Sequence, residues 1–234
     1  MVKKENMAAE VVFQKIQRFA ELLTEEQLAA FRHQMSVQSY GKGQPIYLEG
    51  DVPEYLHFML EGKAKVYMSG VGGKKQIMRV VKPVELFGYR AYFAGQNYIG
   101  TAATLTPCTI CHVPMRIVSQ WMAENVEVSN FFINLLSYEL GNADVRTVNL
   151  TQKHVRGRLA DALLFLRDSY GLEEDHSTIS VYLSREDLAN LSNMTTSNAI
   201  RTLSAFAEEH LIAIDGRKIK ILDLPHLQKI AKIG

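Results

Sequence analysis

The chain has 234 residues, 47% hydrophobic and 22% charged, with 26 Lys and Arg against 25 Asp and Glu. This length holds one large or two modest domains with real apolar cores. A net charge of +1 excludes a molecule-wide attraction for polyanions, so any nucleic-acid affinity has to come from a local patch.

Met1–Asn6 is charged and unlike an export signal, and no later apolar run approaches a transmembrane span. A cytoplasmic protein with no membrane partner is expected. Ala8–Leu23 carries Val12, Ile16, Phe19 and Leu23 at helical spacing and predicts one amphipathic helix. Thr24 and Gln27 form a capping box that starts a second helix, running to about His33. From Ser36 the period changes to two. Strand-like pieces fall at 36–40, 44–48, 55–60, 63–69, 76–81, 99–105 and 108–113. Gly41-Lys42-Gly43, Gly50-Asp51, Glu61-Gly62, Gly70–Gly73 and Lys82-Pro83 break them. Short strands at this spacing predict a sandwich or barrel, not a parallel α/β sheet.

Pro114–Glu124 reads as a short helix, followed by a long one over 126–150. Phe131, Phe132, Leu135, Leu136 and Leu140 make its apolar stripe wider than one packing face needs. The helix is therefore expected to pack on its own β region and on a second copy of itself. Gly141, Asn142, Asp144, Arg146 and Asn149 make its second half polar. A seam between copies should weaken towards a hinge near Thr151. His154–Tyr170 predicts a helix, Gly171–Ser177 a loop and Ser180–Leu183 a short strand.

Residues 184–206 read as two short helices joined by a tight turn. Ser184 is an N-cap with Asp187 in the first turn. Asn193 suits the left-handed residue that closes a helix, and Thr195 or Thr196 caps the next. Ala199, Ile200, Leu203 and Phe206 should be buried. The remaining face carries Thr195, Thr196, Ser197, Asn198, Arg201 and Ser204, with no carboxylate. Short hydrogen-bonding side chains around one long cation suit base edges and phosphates in a groove. Residues 208–223 follow as a β-hairpin turning at Asp215-Gly216, with Arg217, Lys218 and Lys220 at its tip and outer face. Residues 151–234 carry roughly eleven basic and eleven acidic side chains. The acids at Glu173, Glu174 and Asp175 are expected away from the reading face. Pro225–Ile233 reads as a terminal helix.

The stretch SREDLANLSNMTTSNAIRTLSAF followed by HLIAIDGRKIKILD resembles the winged helix of the cyclic-AMP receptor protein / fumarate-nitrate regulator (CRP/FNR) family. YGKGQPIYLEGDVPEYLHFMLEGKAKVYM (40–68) is similar to the start of a cyclic-nucleotide-binding β-roll, and LFGYRAYF (86–93) falls at that family's phosphate-binding cassette. The resemblance implies an α+β chain in three parts. A cyclic-nucleotide-binding-like β-roll (jelly roll) sensor spans 1–125, a dimerisation helix 126–150 and a winged helix-turn-helix 151–234. It implies a homodimeric regulator of transcription that binds double-stranded DNA, and RNA polymerase if it activates. Arg201 matches the family's basic reading residue. Thr196-Ser197 stand where the family usually shows Arg-Glu, so a different operator is expected.

The effector signature is broken. Gly88 is kept, but Tyr89 replaces the ribose-binding Glu. Tyr98-Ile99 stand at the Arg-Ser place that would neutralise a cyclic phosphate, and Ala143 and Asp144 at the long-helix contacts. Arg90 is nearby but precedes the expected position. A phosphate buried without a cation is costly, so cyclic AMP is disfavoured. Phe87, Tyr89, Tyr92, Phe93 and Tyr98 could line an apolar cavity, for haem among other ligands, although filled core is preferred. The alternative reading is a haem- or small-ligand sensor that acts through protein contacts.

Cys108-Thr109-Ile110-Cys111-His112 is a literal C-x-x-C-H. In a strand, residues three apart point to opposite faces, which favours two packed thiols over c-type haem. Met1–Gly50 contains no Cys, excluding the N-terminal iron–sulfur cluster of fumarate-nitrate regulators. No metal site, Walker loop, G-x-S-x-G string or other catalytic constellation is visible, and no enzyme is expected.

Overall fold

The computed structural model describes residues 3–5 and 7–233. In chain order its elements are β1 (Lys3–Glu5), α1 (Ala9–Lys15), α2 (Gln17–Ala20), α3 (Glu25–Gln34), β2 (Ser36–Tyr40), β3 (Pro45–Tyr47), β4 (Tyr55–Glu61), β5 (Ala64–Ser69), β6 (Lys75–Val81), β7 (Leu86–Phe87), α4 (Tyr89–Phe93), β8 (Thr101–Thr104), β9 (Cys108–Pro114) and α5 (Met115–Glu124). The 27-residue α6 (Val126–Gln152) follows. Then come α7 (Val155–Tyr170), α8 (Arg185–Leu191), α9 (Thr196–Glu208), β10 (Ile212–Asp215), β11 (Lys218–Ile221) and α10 (Leu224–Ile233). The chain divides into two compact units. One runs to Ser69 and resumes over Met78–Leu140; the other holds Gly70–Ile77 and the chain from Gly141 onward.

The first unit is a β-sandwich. One sheet has the order β1-β2-β9-β4-β7 and the other β3-β8-β5-β6. β4 and β9 pair antiparallel with Leu56 opposite Val113, His57 opposite His112 and Phe58 opposite Cys111. This register sorts side chains by parity. Val37, Leu56, Phe58, Cys111 and Val113 join a core with Val12, Phe19, Phe31, Trp121 and Phe132 from the helices. Tyr40, Met59, Cys108 and Ile110 join Ala64, Val81 and Ala102 in a second core. Cys108 and Cys111 therefore lie on opposite faces of the sheet, both buried and unpaired, as the strand period predicts.

Several expectations need correction. The first helix is broken at Ile16 (φ −112°, ψ 29°) into α1 and α2, and Val12, Ile16 and Phe19 all remain in one core. Lys3–Glu5 pairs with β2 as an edge strand. Ser180–Leu183 is not a strand; single bridges join Leu172 to Ile179 and Thr178 to Lys220 instead. Residues 89–93 form a short helix after the two-residue β7.

On α6 the expected stripe divides. Phe132 is fully buried in its own sandwich core, with Phe131, Leu135 and Leu136 packed against that core. Leu140 is 65% exposed. Beyond Val126 at its first position, the large apolar side chains that α6 leaves in solvent are Ile133, Tyr138, Leu140, Val145 and Val148, so the exposed stripe extends into the half read as polar. Among the described residues no helix is long and apolar enough to cross a membrane.

Candidate nucleic-acid interface and sensor interior

The two-helix motif is fixed by local backbone chemistry. Ser184 Oγ accepts the Asp187 N–H at 3.0 Å, and Thr195 Oγ1 accepts the Asn198 N–H at 3.2 Å. Both caps satisfy orphan donors of a first turn. Asn193, at φ 49°, turns the chain between α8 and α9 in the left-handed region that Asn tolerates. Arg158 of α7 supports this turn, a role without a local sequence signal. Its guanidinium donates to the carbonyls of Ser192 (3.1 Å) and Asn193 (3.2 Å), and to those of Leu150 (3.3 Å) and Lys153 (3.2 Å). One planar fork thus ties the end of α6 to the turn of the motif.

α9 buries Ala199, Leu203 and Phe206, an i, i+4, i+7 stripe. Thr195, Thr196, Ser197, Arg201 and Ser204 are exposed, and Asn198 is half-buried. Ile200 departs from the expected buried set at 47% exposed. It lies four residues from both Thr196 and Ser204, so it stands in the middle of the polar face. Arg185 in the first turn of α8 was also missed. It donates to the Gly216 carbonyl at 2.9 Å and anchors the hairpin turn.

The hairpin register sets Asp215 opposite Lys218, so Gly216-Arg217 is the turn and Arg217 its exposed tip. The acidic loop is not remote from this wing. Lys218 pairs with Glu173 at 3.6 Å and Lys220 with Asp175 at 3.3 Å. The bridge between Thr178 and Lys220 lays the loop beside β11. Asp175 accepts from the Thr178 N–H, the Thr178 hydroxyl and the Ser177 N–H. These bonds hold its carboxyl well below the usual carboxylate range.

In the sandwich, Gly88 has φ +89°, and a Cβ there would lie 2.5 Å from His57 Cδ2 and 3.0 Å from the Tyr98 hydroxyl. Its smallness admits these two side chains. Tyr98 is buried and stacks on Tyr47, ring centroids 3.7 Å apart. Tyr89 is buried and packs on Phe132; its phenol is pushed up by burial and then by the Glu139 carboxylate. Arg90, Ala143 and Asp144 are exposed, and Ile99 is 39% exposed. Arg79, a half-buried cation of this unit, pairs with Glu139 and, at 3.6 Å, with Glu85. It was not recognised in the sequence because it falls mid-strand in β6. The aromatic cluster is packed: Tyr89, Phe93 and Phe132 meet edge to face or tilted at 5.2–6.1 Å.

The sequence also hid a pair. His57 and His112 face each other with Nδ1 atoms 2.7 Å apart. His112 Nε2 lies 3.1 Å from the Tyr40 hydroxyl, which donates to Gln38 Oε1 at 2.9 Å. His57 Nε2 lies 3.5 Å from the Tyr98 hydroxyl.

Two family models match. Residues 37–125 match the cyclic nucleotide-binding domain, and residues 157–230 the Crp-like helix-turn-helix domain. Together they take in over half of the chain. A CRP-like cAMP-activated global transcriptional regulator of Mycobacterium tuberculosis is 23% identical over 88% of this chain and 92% of its own. A global nitrogen regulator of Synechococcus elongatus is 23% identical over 81% of this chain and 86% of its own. The solved structure of FixK2 from Bradyrhizobium japonicum shares the fold at a TM-score of 0.76 and 21% identity, covering 84% of this chain and 96% of that one. The names of the first two are those of regulators, the first of a transcriptional one, and not of enzymes. With the sensor model preceding the helix-turn-helix model in one chain, this protein belongs to the CRP/FNR family of DNA-binding transcription regulators.

Proposed function

We propose that the protein is a homodimeric one-component regulator whose α9 enters the major groove of a pseudo-palindromic operator. In this reading residues 1–125 sense a small effector, 126–150 dimerise and 151–234 read DNA in the cytoplasm. If it activates, RNA polymerase is its further partner. The observation that carries the reading is the exposed face of α9. Thr196, Ser197, Ile200, Arg201 and Ser204 lie on it together, offering donors, acceptors, one apolar tip and one long cation with no carboxylate. That mixture matches base edges flanked by phosphates.

The effector is not cyclic AMP in this reading. Tyr98 and Tyr47 fill the space beside Gly88 with stacked rings, and Arg79 is already paired with Glu139. The relatives carry names that point to different signals, cAMP in one and nitrogen in another, so the effector has to be read from this chain.

The test is in-vitro selection of DNA fragments by the purified full chain at about 150 mM salt, where non-specific binding is weakened. Enrichment of a pseudo-palindrome with half-sites roughly 34 Å apart, one helical turn, is expected. Failure to enrich any sequence, with and without added small molecules, would sink the reading.

A further inference from the structure

With Tyr40 donating to Gln38 Oε1, the interior hydrogen-bond chain runs in one direction. Tyr40 spends its proton on Gln38 Oε1, so its oxygen accepts from His112 Nε2–H. His112 Nδ1 is then bare and accepts from His57 Nδ1–H. His57 Nε2 is left as an acceptor. Its neighbour, the Tyr98 hydroxyl at 3.5 Å, is longer than a well-formed bond of about 2.7–3.2 Å. Burial holds both imidazoles in the neutral form, His57 further lowered by His112, so in this direction His57 Nε2 carries no proton.

His57 lines a cleft of about 330 Å³ in the sandwich, at the small end of ligand sites, which span about 300–1,000 Å³. Tyr47, Tyr55 and Tyr98 supply aromatic walls, and Asp51 and Glu54 supply carboxylates. Asp51, Glu54 and Tyr55 are exposed and form the mouth, while His57 is 4% exposed at the floor. Among the described residues no Lys or Arg lines this cleft. An anion would be repelled by two carboxylates and would meet no compensating cation. A cation gains at the carboxylates and on the ring faces.

We propose that this cleft binds a small aromatic or amidinium-like organic cation. Its N–H donates to His57 Nε2, its charge sits between Asp51 and Glu54, and its body packs on the tyrosine rings. Burial pushes the Tyr47 phenol up to about 12, with the charges of Arg79, Arg90 and Glu139 as lesser influences on it. This deepens the effector reading above and rests on it only for consequences at DNA; binding itself is independent.

The test uses three probes of one shape: benzamidinium, neutral benzamide and benzoate. Each is titrated into the full chain carrying ¹⁵N-labelled histidines and followed by imidazole NMR. Benzamidinium is expected to saturate with a Kd on the order of 1 mM, shifting the His57 and His112 resonances. Benzoate should bind at least tenfold more weakly. Asp51→Asn/Glu54→Gln should weaken benzamidinium at least tenfold. The Asn preserves the acceptor that Asp51 Oδ2 offers the Leu48 N–H at 2.8 Å, and an unchanged thermal midpoint confirms the fold. Equal binding of benzoate, an unaffected double variant or no saturable shift with benzamidinium overturns the proposal. DNA selection run in parallel separates the two readings. An enriched operator without cation binding removes only the cleft; cation binding without an enriched operator removes only the regulator.

Discussion

His57 and His112 stand directly opposite each other on β4 and β9, and their Nδ1 atoms share one proton across 2.7 Å. Both are buried, at 4% and 5% exposed. Protonating His112 at Nδ1 would break the donor sequence that runs to Tyr40 and Gln38, whereas His57 is kept neutral by burial and by the neighbouring imidazole. Burial lowers His112 to about 4, and burial followed by the field of His112 lowers His57 well below its usual value.

This pair sets an acid limit on stability. In the unfolded chain each imidazole takes up a proton near pH 6.5, whereas the folded state holds His112 neutral to about pH 4 and His57 neutral well below its usual value. The unfolded state binds more protons in that window, so stability is full above about pH 6.5 and falls as pH drops towards 4. The slope reaches at most about 1.4 kcal/mol per pH unit for each group. Urea unfolding of the wild type at pH 7.5, 5.5 and 4.5 measures it. The same series on His57→Gln/His112→Gln should lose this component, and an identical slope would remove the pair as its source.

Ile200 and Arg201 are expected to divide recognition between them. Arg201→Ala should cost about 1–3 kcal/mol of specific binding at fixed salt. Ile200 has the chemistry of a thymine-methyl contact, since the methyl is the apolar feature of the major groove. Ile200→Ala should cost roughly 1 kcal/mol and flatten the preference at one position of the selected site. Equal losses on every sequence would place Ile200 outside the base contacts.

The wing lysines are restrained by their own domain. Glu173 lies 3.6 Å from Lys218 and Asp175 lies 3.3 Å from Lys220, and these pairs compete with phosphate. Glu173→Gln leaves the Asp175 turn intact and frees Lys218. Binding to non-specific duplex should tighten several-fold at low salt, and the slope of log K against log salt should steepen by about 0.9, one additional phosphate contact. An unchanged slope would place Lys218 away from the backbone.

Arg158 offers a separate test of the turn. Arg158→Ala strands carbonyls of Leu150, Lys153, Ser192 and Asn193 that it now serves. A loss of about 1–3 kcal/mol in stability is expected, the cost of leaving these part-buried carbonyls unmet. Arg158→Lys should recover only part of it, because an ammonium cannot span two pairs of carbonyls as a planar fork does.

Much of this architecture was legible because it is local. Caps at Thr24, Ser184 and Thr195, the left-handed Asn193 and the Asp215-Gly216 hairpin signal each depend on neighbours within four residues. The two thiols were separated by strand parity alone. What escaped was non-local. His57 meets His112 only through the register of β4 and β9. Glu173 meets Lys218 only because the 171–178 loop folds onto β11. Ile200 was placed in the core because it is apolar, whereas one helical step of about 100° past Ala199 puts it on the open face. Arg79 looked like any charged residue of an alternating strand, and its partner Glu139 is distant in sequence.

The last expectation concerns α6. Because Phe132 serves its own sandwich core, a partner helix has to meet the side chains left outside. Tyr138 is 70% exposed, Val145 62% and Val148 49%. With Gly141 they follow a 3–4 spacing, the a/d pattern of a two-helix seam. The small Gly141 would allow close approach of the second helix at the centre. Tyr138→Glu/Val145→Glu places four like charges in a symmetric seam while leaving both monomer cores untouched. Sedimentation equilibrium should show a dimer for the wild type and a monomer for the variant, each with the same far-ultraviolet circular dichroism. The monomer should also lose the full palindrome far more than a single half-site, since two-fold binding depends on both copies. If the variant remains dimeric, the seam lies elsewhere; if the wild type is monomeric at micromolar concentration, the dimeric reading of this regulator fails.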